Sequence, residues 1–244
     1  MSDFSRGPEE ITVRGMLFDM DGTIIDSTNA IIKHWYKLGK ELGVDPEVIL
    51  ASSHGRRSID TLKLYDPTKA NMEYVSQMEA QLPKLYGHDA NEIPGSRALL
   101  DATRREAIPW AIVTSATKPL VTGWLSVLAL PTPENLITAE DVEDGKPDPA
   151  CYRMALSALG LGTRAEDVLV LEDAPAGIRA GKAAGCKVLA LVTSHTVQQV
   201  SDAGPDWVVR DLRSVRIVED AKGDGFRLEI RNALVNIAGH VQGE

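Results

Sequence analysis

Residues 16–27 read MLFDMDGTIIDS, and the fold turns on this stretch. Met16, Leu17 and Phe18 form an apolar run that reads as a buried strand. Gly22 marks a sharp departure from it. Asp19 and Asp21 therefore fall at the carboxyl end of a strand, where open α/β sheets bind their ligands. Two carboxylates this close repel each other. A cation can hold them together, or one acid can stay protonated. The plain alternative is an acidic turn, and the rest of the chain has to decide.

Upstream, residues 1–11 read as a loosely attached tail, and the first strand covers roughly Val13 to Phe18. Downstream, Ser27 or Thr28 can cap a helix carrying Ile31, Ile32, Trp35, Leu38 and Leu42 at helical spacing. "GVDPE" ends that helix. Further helical patterns follow at 46–52, 58–65 and 71–86, and "EIPGS" breaks the series. Residues 24–93 are thus expected to be wholly helical. After them the grammar changes. "AIV" within "PWAIVTSA", then "NLITA", "DVLVLED", "KVLALVT" and "DWVVR" read as short strands separated by helical stretches. Regular alternation of this kind predicts a parallel sheet covered on both faces. The tail "VRIVEDAKGDGFRLEIRN" carries a hairpin signal around "KGDG". The expected organisation is one doubly wound, mostly parallel α/β core, 12–23 and 94–244, interrupted by a helical insert at 24–93.

Composition bounds the function. A chain of 244 residues with 43% hydrophobic and 25% charged residues suits a packed core plus a smaller unit. A net charge of −9 argues against nucleic acid or an anionic membrane as partner. Cys151 and Cys186 form no metal-ligand pattern, and a core this large needs no disulfide. His34, His88, His195 and His240 show no metal-ligand spacing either. The N-terminus lacks a secretory h-region, and no apolar run approaches the ~18 residues that span a bilayer. The expectation is a cytoplasmic protein, monomeric or weakly self-associating.

Each strand of the alternating region ends in something reactive. The first ends in Asp19 and Asp21, the second in Thr114 and Ser115. The loop after "NLITA" leads to Lys146, and a later strand ends in Glu172 and Asp173. In a parallel sheet these ends share one crevice. Such a set suits phosphoryl transfer. Carboxylate oxygens suit Mg²⁺, and a carboxylate can attack phosphorus. Lys146 and Ser115 can hold phosphoryl oxygens, and a second carboxyl can protonate the leaving alkoxide.

"DMDGT", "VTSAT", "GKPDP" and "LEDAPAGIRAG", in this order, resemble the four motifs of the haloacid dehalogenase superfamily. The resemblance implies a Rossmann-like core with a mobile helical cap inserted after the first motif. It implies that Asp19 is the nucleophile and Asp21 the general acid/base, with the Asp21 backbone carbonyl on Mg²⁺. Ser115 and Lys146 would bind the phosphoryl group, and Asp173 would be a metal ligand, with Glu172 direct or through water. Gly22 and Thr23 would belong to the same phosphate site, Thr23 positioning Asp21. "SHGRRSIDTL" and "EDAPAGIRAGKAAGCKV" resemble fungal glycerol-phosphate and 2-deoxyglucose-6-phosphate phosphatases. The implied partner is a small phosphorylated polyol or sugar.

Other readings stay open. A sugar phosphomutase has the same core. Hydrolytic dehalogenation is disfavoured, because that branch generally lacks the carboxylate found here at Asp21. A non-catalytic relative would be expected to have lost Asp19, Asp21, Lys146 or Asp173. Thr117 can touch phosphate or start a helix. His54 and Arg57, in "SSHGRRS", are the polar candidates for reading the substrate from the insert. Trp35, Trp110, Trp124 and Trp207 are expected in the core. The small residues of "GIRAGKAAG" are expected to let a helix pack closely on the sheet.

Overall fold

A computed structural model describes residues 2–53, 55–218 and 225–235. Its centre is a six-stranded parallel sheet of β2 (Gly15–Phe18), β5 (Trp110–Val113), β6 (Asn135–Ile137), β7 (Val168–Glu172), β8 (Lys187–Leu191) and β9 (Trp207–Val209). These lie in the order β6-β5-β2-β7-β8-β9. Every residue of β2 and β7 is buried, which is why both read as unbroken apolar runs: helices cover both faces.

The pleat divides the core into two layers. Met16, Phe18, Ile112, Leu169 and Leu171 pack on one face with α6 (Ser96–Arg105) and α7 (Lys118–Val127). Leu17, Ala111, Val113, Val168 and Val170 pack on the other with α8 (Ala150–Ala158) and α9 (Pro175–Ala183). A short helix α10 (Val197–Ser201) completes the second layer. The order reverses at β2, which lies between β5 and β7. A ligand crevice is expected at such a switch point.

Two short strands, β3 (Ile25–Asp26) and β4 (Asn91–Glu92), pair antiparallel and zip together the two links that leave and re-enter the sheet region. Between them lie α1 (Thr28–Leu42), α2 (Pro46–Ser53), α3 (Ser58–Tyr65), α4 (Met72–Glu79) and α5 (Leu82–Tyr86). Trp35, Leu38, Ile49, Leu62 and Val75 form their shared core. The single helix expected over 71–86 is broken between α4 and α5. Pro83 stands in the first turn of α5. In a continuous helix it would lack its N–H and clash with the carbonyl of Glu79.

Two expectations change at the N-terminus. Residues 9–11 are not tail. They belong to β1 (Glu9–Val13), which pairs with β11 (Phe226–Ile230), and β11 also pairs with β10 (Val215–Val218). The first core strand starts only at Gly15. The partner of β1 is more than two hundred residues away, so no local pattern announces it. The Trp207 indole N–H also donates to Glu9 Oε2 at 3.0 Å. The expected hairpin is seen in the β10–β11 register, while most of its "KGDG" turn lies outside the described residues. Among the described residues no helix is long and apolar enough to cross a membrane.

Candidate active site

The carboxyl ends of the parallel strands bring the expected residues to one edge of the sheet. A pocket there is lined by Asp19 and Asp21 after β2, Thr114 and Ser115 after β5, Glu172 and Asp173 at the end of β7, and Ser194 after β8. Its other wall comes from the helical segment and includes Trp35, Arg56 and Glu79.

Lys146 is almost fully buried and joins two of the acids. Its Nζ donates to Asp19 Oδ1 at 2.6 Å, to Glu172 Oε1 at 2.7 Å and to the Val113 carbonyl at 3.0 Å. Burial disfavours the ammonium, but the charges of Asp19 and Glu172 overcome that and hold its pKa above the ordinary lysine value. Glu172 accepts four hydrogen bonds: from Lys146 and the Tyr152 hydroxyl on Oε1, and from the backbone N–H groups of Asp173 and Ala174 on Oε2. That accounts for its acceptor sites and makes it the anchor of Lys146.

Asp19, Glu172 and Asp173 each offer an oxygen within 4.8 Å of the others. Among the described residues this is the one group of acids, thiols and imidazoles close enough to share a metal ion. Burial, then the charges of Glu172 and Asp173, push the Asp19 carboxyl well above its usual range. Asp173 is pushed up to about 7, by burial first and then by Glu172. Three buried carboxylates face one buried ammonium, which leaves two charges uncompensated when all are ionised. An all-oxygen donor set with that deficit fits a hard divalent cation.

Asp21 stands apart from this set. Its Oδ1 accepts from Ser27 Oγ at 2.5 Å. Burial raises its carboxyl, and the Ser27 bond offsets part of that. Thr23 does not position Asp21 as expected. Its hydroxyl donates to Asp173 Oδ1, just beyond the end of β7, at 3.3 Å. Gly22 has φ +90, and a Cβ there would lie 2.1 Å from Asp173 Oδ2. Ser115 lines the pocket and donates to the Gly55 carbonyl of the helical segment at 3.2 Å.

Three expectations about binding residues change or go undescribed. Arg57 does not face the pocket. It is buried, and its guanidinium donates to both Asp60 oxygens and to the carbonyls of Ala139, Val142 and Glu143. Those five bonds use every N–H of the fork, so it ties the helical segment to the loop before Lys146. Its exposed neighbour Arg56 lines the pocket instead. Thr117 is the N-cap of α7. It is buried outside the pocket, and its hydroxyl has no hydrogen-bond partner among the described residues. His54 lies outside the described residues.

Sequence reasoning missed Ser27, Ser194 and Glu79. Ser194 Oγ donates to Asp173 Oδ2, and "LVTSH" gave a signal only in that it follows a strand. Glu79 is the last residue of a mixed helical stretch, and nothing local marks it. The small residues of α9 have two roles. Gly181 lets the helix approach Val170 and Val188, as expected. Gly177 makes room for the Glu172 carboxylate: a Cβ there would lie 1.6 Å from Oε1.

Comparison with known proteins gives concordant results. The family pattern described as haloacid dehalogenase-like hydrolase matches residues 16–191. Glycerol-1-phosphate phosphohydrolase 1 of Saccharomyces cerevisiae is 38% identical over 221 residues, covering 87% of this chain and 88% of that protein. The same organism's 2-deoxyglucose-6-phosphate phosphatase 2 is 35% identical over 235 residues, covering 89% and 95%. A crystal structure of a hydrolase from Pseudomonas syringae superposes with a TM-score of 0.72 at 24% identity, covering 82% of this chain and 94% of that one. It speaks to the fold alone.

Proposed function

The chain belongs to the haloacid dehalogenase-like hydrolase family, and we propose that it is a Mg²⁺-dependent phosphatase of small phosphorylated polyols or sugars. It is a phosphoric monoester hydrolase, like its relatives. The observation that carries the proposal is Asp19 held by Lys146 at 2.6 Å at the base of a pocket whose far wall belongs to the helical segment.

In this reading an Asp19 oxygen attacks phosphorus in line with the ester oxygen. The P–O bond to the sugar or polyol breaks as the bond to Asp19 forms. Asp21 gives its proton to the departing alkoxide, which suits a carboxyl raised by burial. A water then attacks the aspartyl-phosphate, and Asp21 takes up the proton the water loses. Phosphate leaves and Asp19 is restored. Lys146 and Ser115 hold the transferring phosphoryl oxygens, and the Lys146 ammonium favours the ionised form of Asp19 against its burial. Asp19, Asp173 and the Asp21 backbone carbonyl would hold Mg²⁺, which would neutralise charge between carboxylate and phosphate. Glu172 supports that set through Lys146. Residues 24–93 act as a cap hinged at β3 and β4, and its closure excludes water.

The experiment is phosphate release from glycerol, hexitol, hexose and pentose phosphates, with and without Mg²⁺. Release that requires Mg²⁺ and disappears in Asp19→Asn is expected. An isomeric sugar phosphate without free phosphate would replace this reading with a phosphomutase.

A further inference from the structure

The pocket has a fifth carboxylate that the phosphoryl chemistry does not use. Glu79 ends α4, lines the pocket and is 3% exposed. Ser58 Oγ donates to its Oε1 at 2.5 Å and the Thr117 N–H donates to its Oε2 at 2.8 Å. Among the described residues no lysine or arginine pairs with it. Burial raises its carboxyl, the hydrogen bonds from Ser58 and Thr117 offset part of that, and the charge of Asp21 adds a little to the rise. A carboxylate in the last turn of a helix also opposes the helix dipole. Both effects work against a charge at this position, and a hydrophobic residue would avoid them.

We propose that Glu79 determines substrate specificity by accepting hydrogen bonds from the hydroxyls of the carbon chain that carries the phosphate, and by repelling substrates with a second anionic group. This rests on the phosphatase reading above. The two donors fix the carboxylate plane and spend one acceptor site on each oxygen. The remaining sites accept only, so they match hydroxyl donors. A carboxylate or second phosphate at the same place brings no proton to donate and adds like charge in a poorly screened pocket. Ile31 and Trp35, which line the same pocket, offer apolar surface to the chain's C–H groups. Arg56 is exposed at the same pocket, and solvent weakens its pull on a second anion.

The alternative role for Glu79 is a mere fastening of α4 to the start of α7. The two roles separate on substrate ratios. Loss of a fastening slows every substrate alike, whereas loss of the reader changes their order.

The test measures kcat/KM with Mg²⁺ for glycerol phosphate and for two carboxylate-bearing esters, 2-phosphoglycolate and 3-phosphoglycerate. It compares the wild type with Glu79→Gln, Glu79→Asp and Ser58→Ala. The wild type is expected to prefer glycerol phosphate. Glu79→Gln is expected to cut that preference about tenfold or more, as loss of a charged hydrogen-bond acceptor would. Ser58→Ala, which frees one carboxylate oxygen to turn, is expected to cut it less. A preference unchanged within about twofold in a folded variant overturns the proposal. If Glu79→Gln does not fold, Glu79→Asp and Ser58→Ala decide by the same ratio. If the wild type hydrolyses neutral and carboxylate-bearing esters equally well, the inference alone fails. If it releases phosphate from no polyol or sugar phosphate, the phosphatase reading fails, and the inference with it.

Discussion

Lys146 Nζ lies 2.6 Å from Asp19 Oδ1, and both side chains are almost wholly out of solvent. The two motifs that supply them are 127 residues apart in sequence. The pair does two things. It offsets part of the cost that burial puts on the Asp19 carboxylate, and in the proposed mechanism it sets an ammonium beside the oxygen that would attack phosphorus.

Lys146→Ala is therefore expected to lower turnover by on the order of 10³ or more, comparable to loss of a preorganised charge donor. Removing one partner of a buried ion pair costs about 3–5 kcal/mol. Here the loss should depend on pH. Without the ammonium, an ionised Asp19 would lie among the other buried acids with no counter-charge. In acid Asp19 takes up a proton, and the cost shrinks. Chemical denaturation of both proteins at pH 5 and pH 8 checks this. An equal loss at both values would remove Lys146 as the counter-charge of Asp19.

How far the sequence led can be judged from these residues. Asp19, Ser115, Glu172 and Asp173 were legible because each stands at the end of an apolar strand, and parallel strands send their ends to one edge; Lys146, in a loop, was legible from the order of the motifs. The helical segment was legible from its period. Glu79 was not, since its place depends on a helix break at Pro83 and on α7 packing against it. Arg57 was misjudged for a similar reason. Its acceptors, at 139–143, are contributed by a loop more than eighty residues away. β1 escaped because its pairing partner lies at the other end of the chain. Local patterns report strand ends and periods; contacts between distant segments leave no such mark.

The carboxyl cluster predicts how pH and metal act on stability. Asp173 is raised from 3.8 to about 7, and Asp19 is raised as well. Between those values the folded chain holds protons that the unfolded chain has released. These groups therefore stabilise the fold fully below about pH 4 and progressively less as pH rises through 7. A divalent cation should reverse that trend, since it binds the ionised form. Mg²⁺ is expected to raise the melting temperature more at pH 8 than at pH 5, against an EDTA-treated control. Equal increments at both pH values would count against Asp19 and Asp173 as ligands.

Arg57→Ala tests the corrected role of that residue. Its five hydrogen bonds join α3 to the loop that leads into Lys146, and none reaches the pocket. The substitution should cost about 2–3 kcal/mol, since charged hydrogen bonds are lost and buried carbonyls are left without donors. It should lower kcat/KM by a similar factor for glycerol phosphate and for p-nitrophenyl phosphate, because it loosens the tie between α3 and the loop at 139–143 without touching substrate. A loss confined to the polyol ester would return Arg57 to the role of a substrate reader.

Gly177 and Gly181 offer a paired test on a single helix. Both lie in α9, and both lack a side chain for steric reasons, but the neighbours differ. At Gly181 an added Cβ would meet Val188 Cγ2 at 3.0 Å and Val170 Cγ1 at 3.3 Å. Small shifts of these methyls can absorb that contact. Alanine also improves helix propensity by about 1 kcal/mol, so Gly181→Ala should change stability little and leave activity intact. At Gly177 the Cβ would fall 1.6 Å from Glu172 Oε1 and 2.1 Å from its Cδ. No adjustment of the methyl relieves that overlap, so the carboxylate has to move. It then abandons Tyr152, the backbone N–H groups of Asp173 and Ala174, and Lys146. Overpacking alone costs about 1–3 kcal/mol, and the stranded donors add to it. Lys146 loses the anchor that aims it at Asp19, so Gly177→Ala should lose most phosphate release and need more Mg²⁺ for what remains. Thermal melts and Mg²⁺ titrations of the two variants, side by side, check both claims. A Gly177→Ala enzyme with the activity of Gly181→Ala would show that the position of Glu172 does not govern the site.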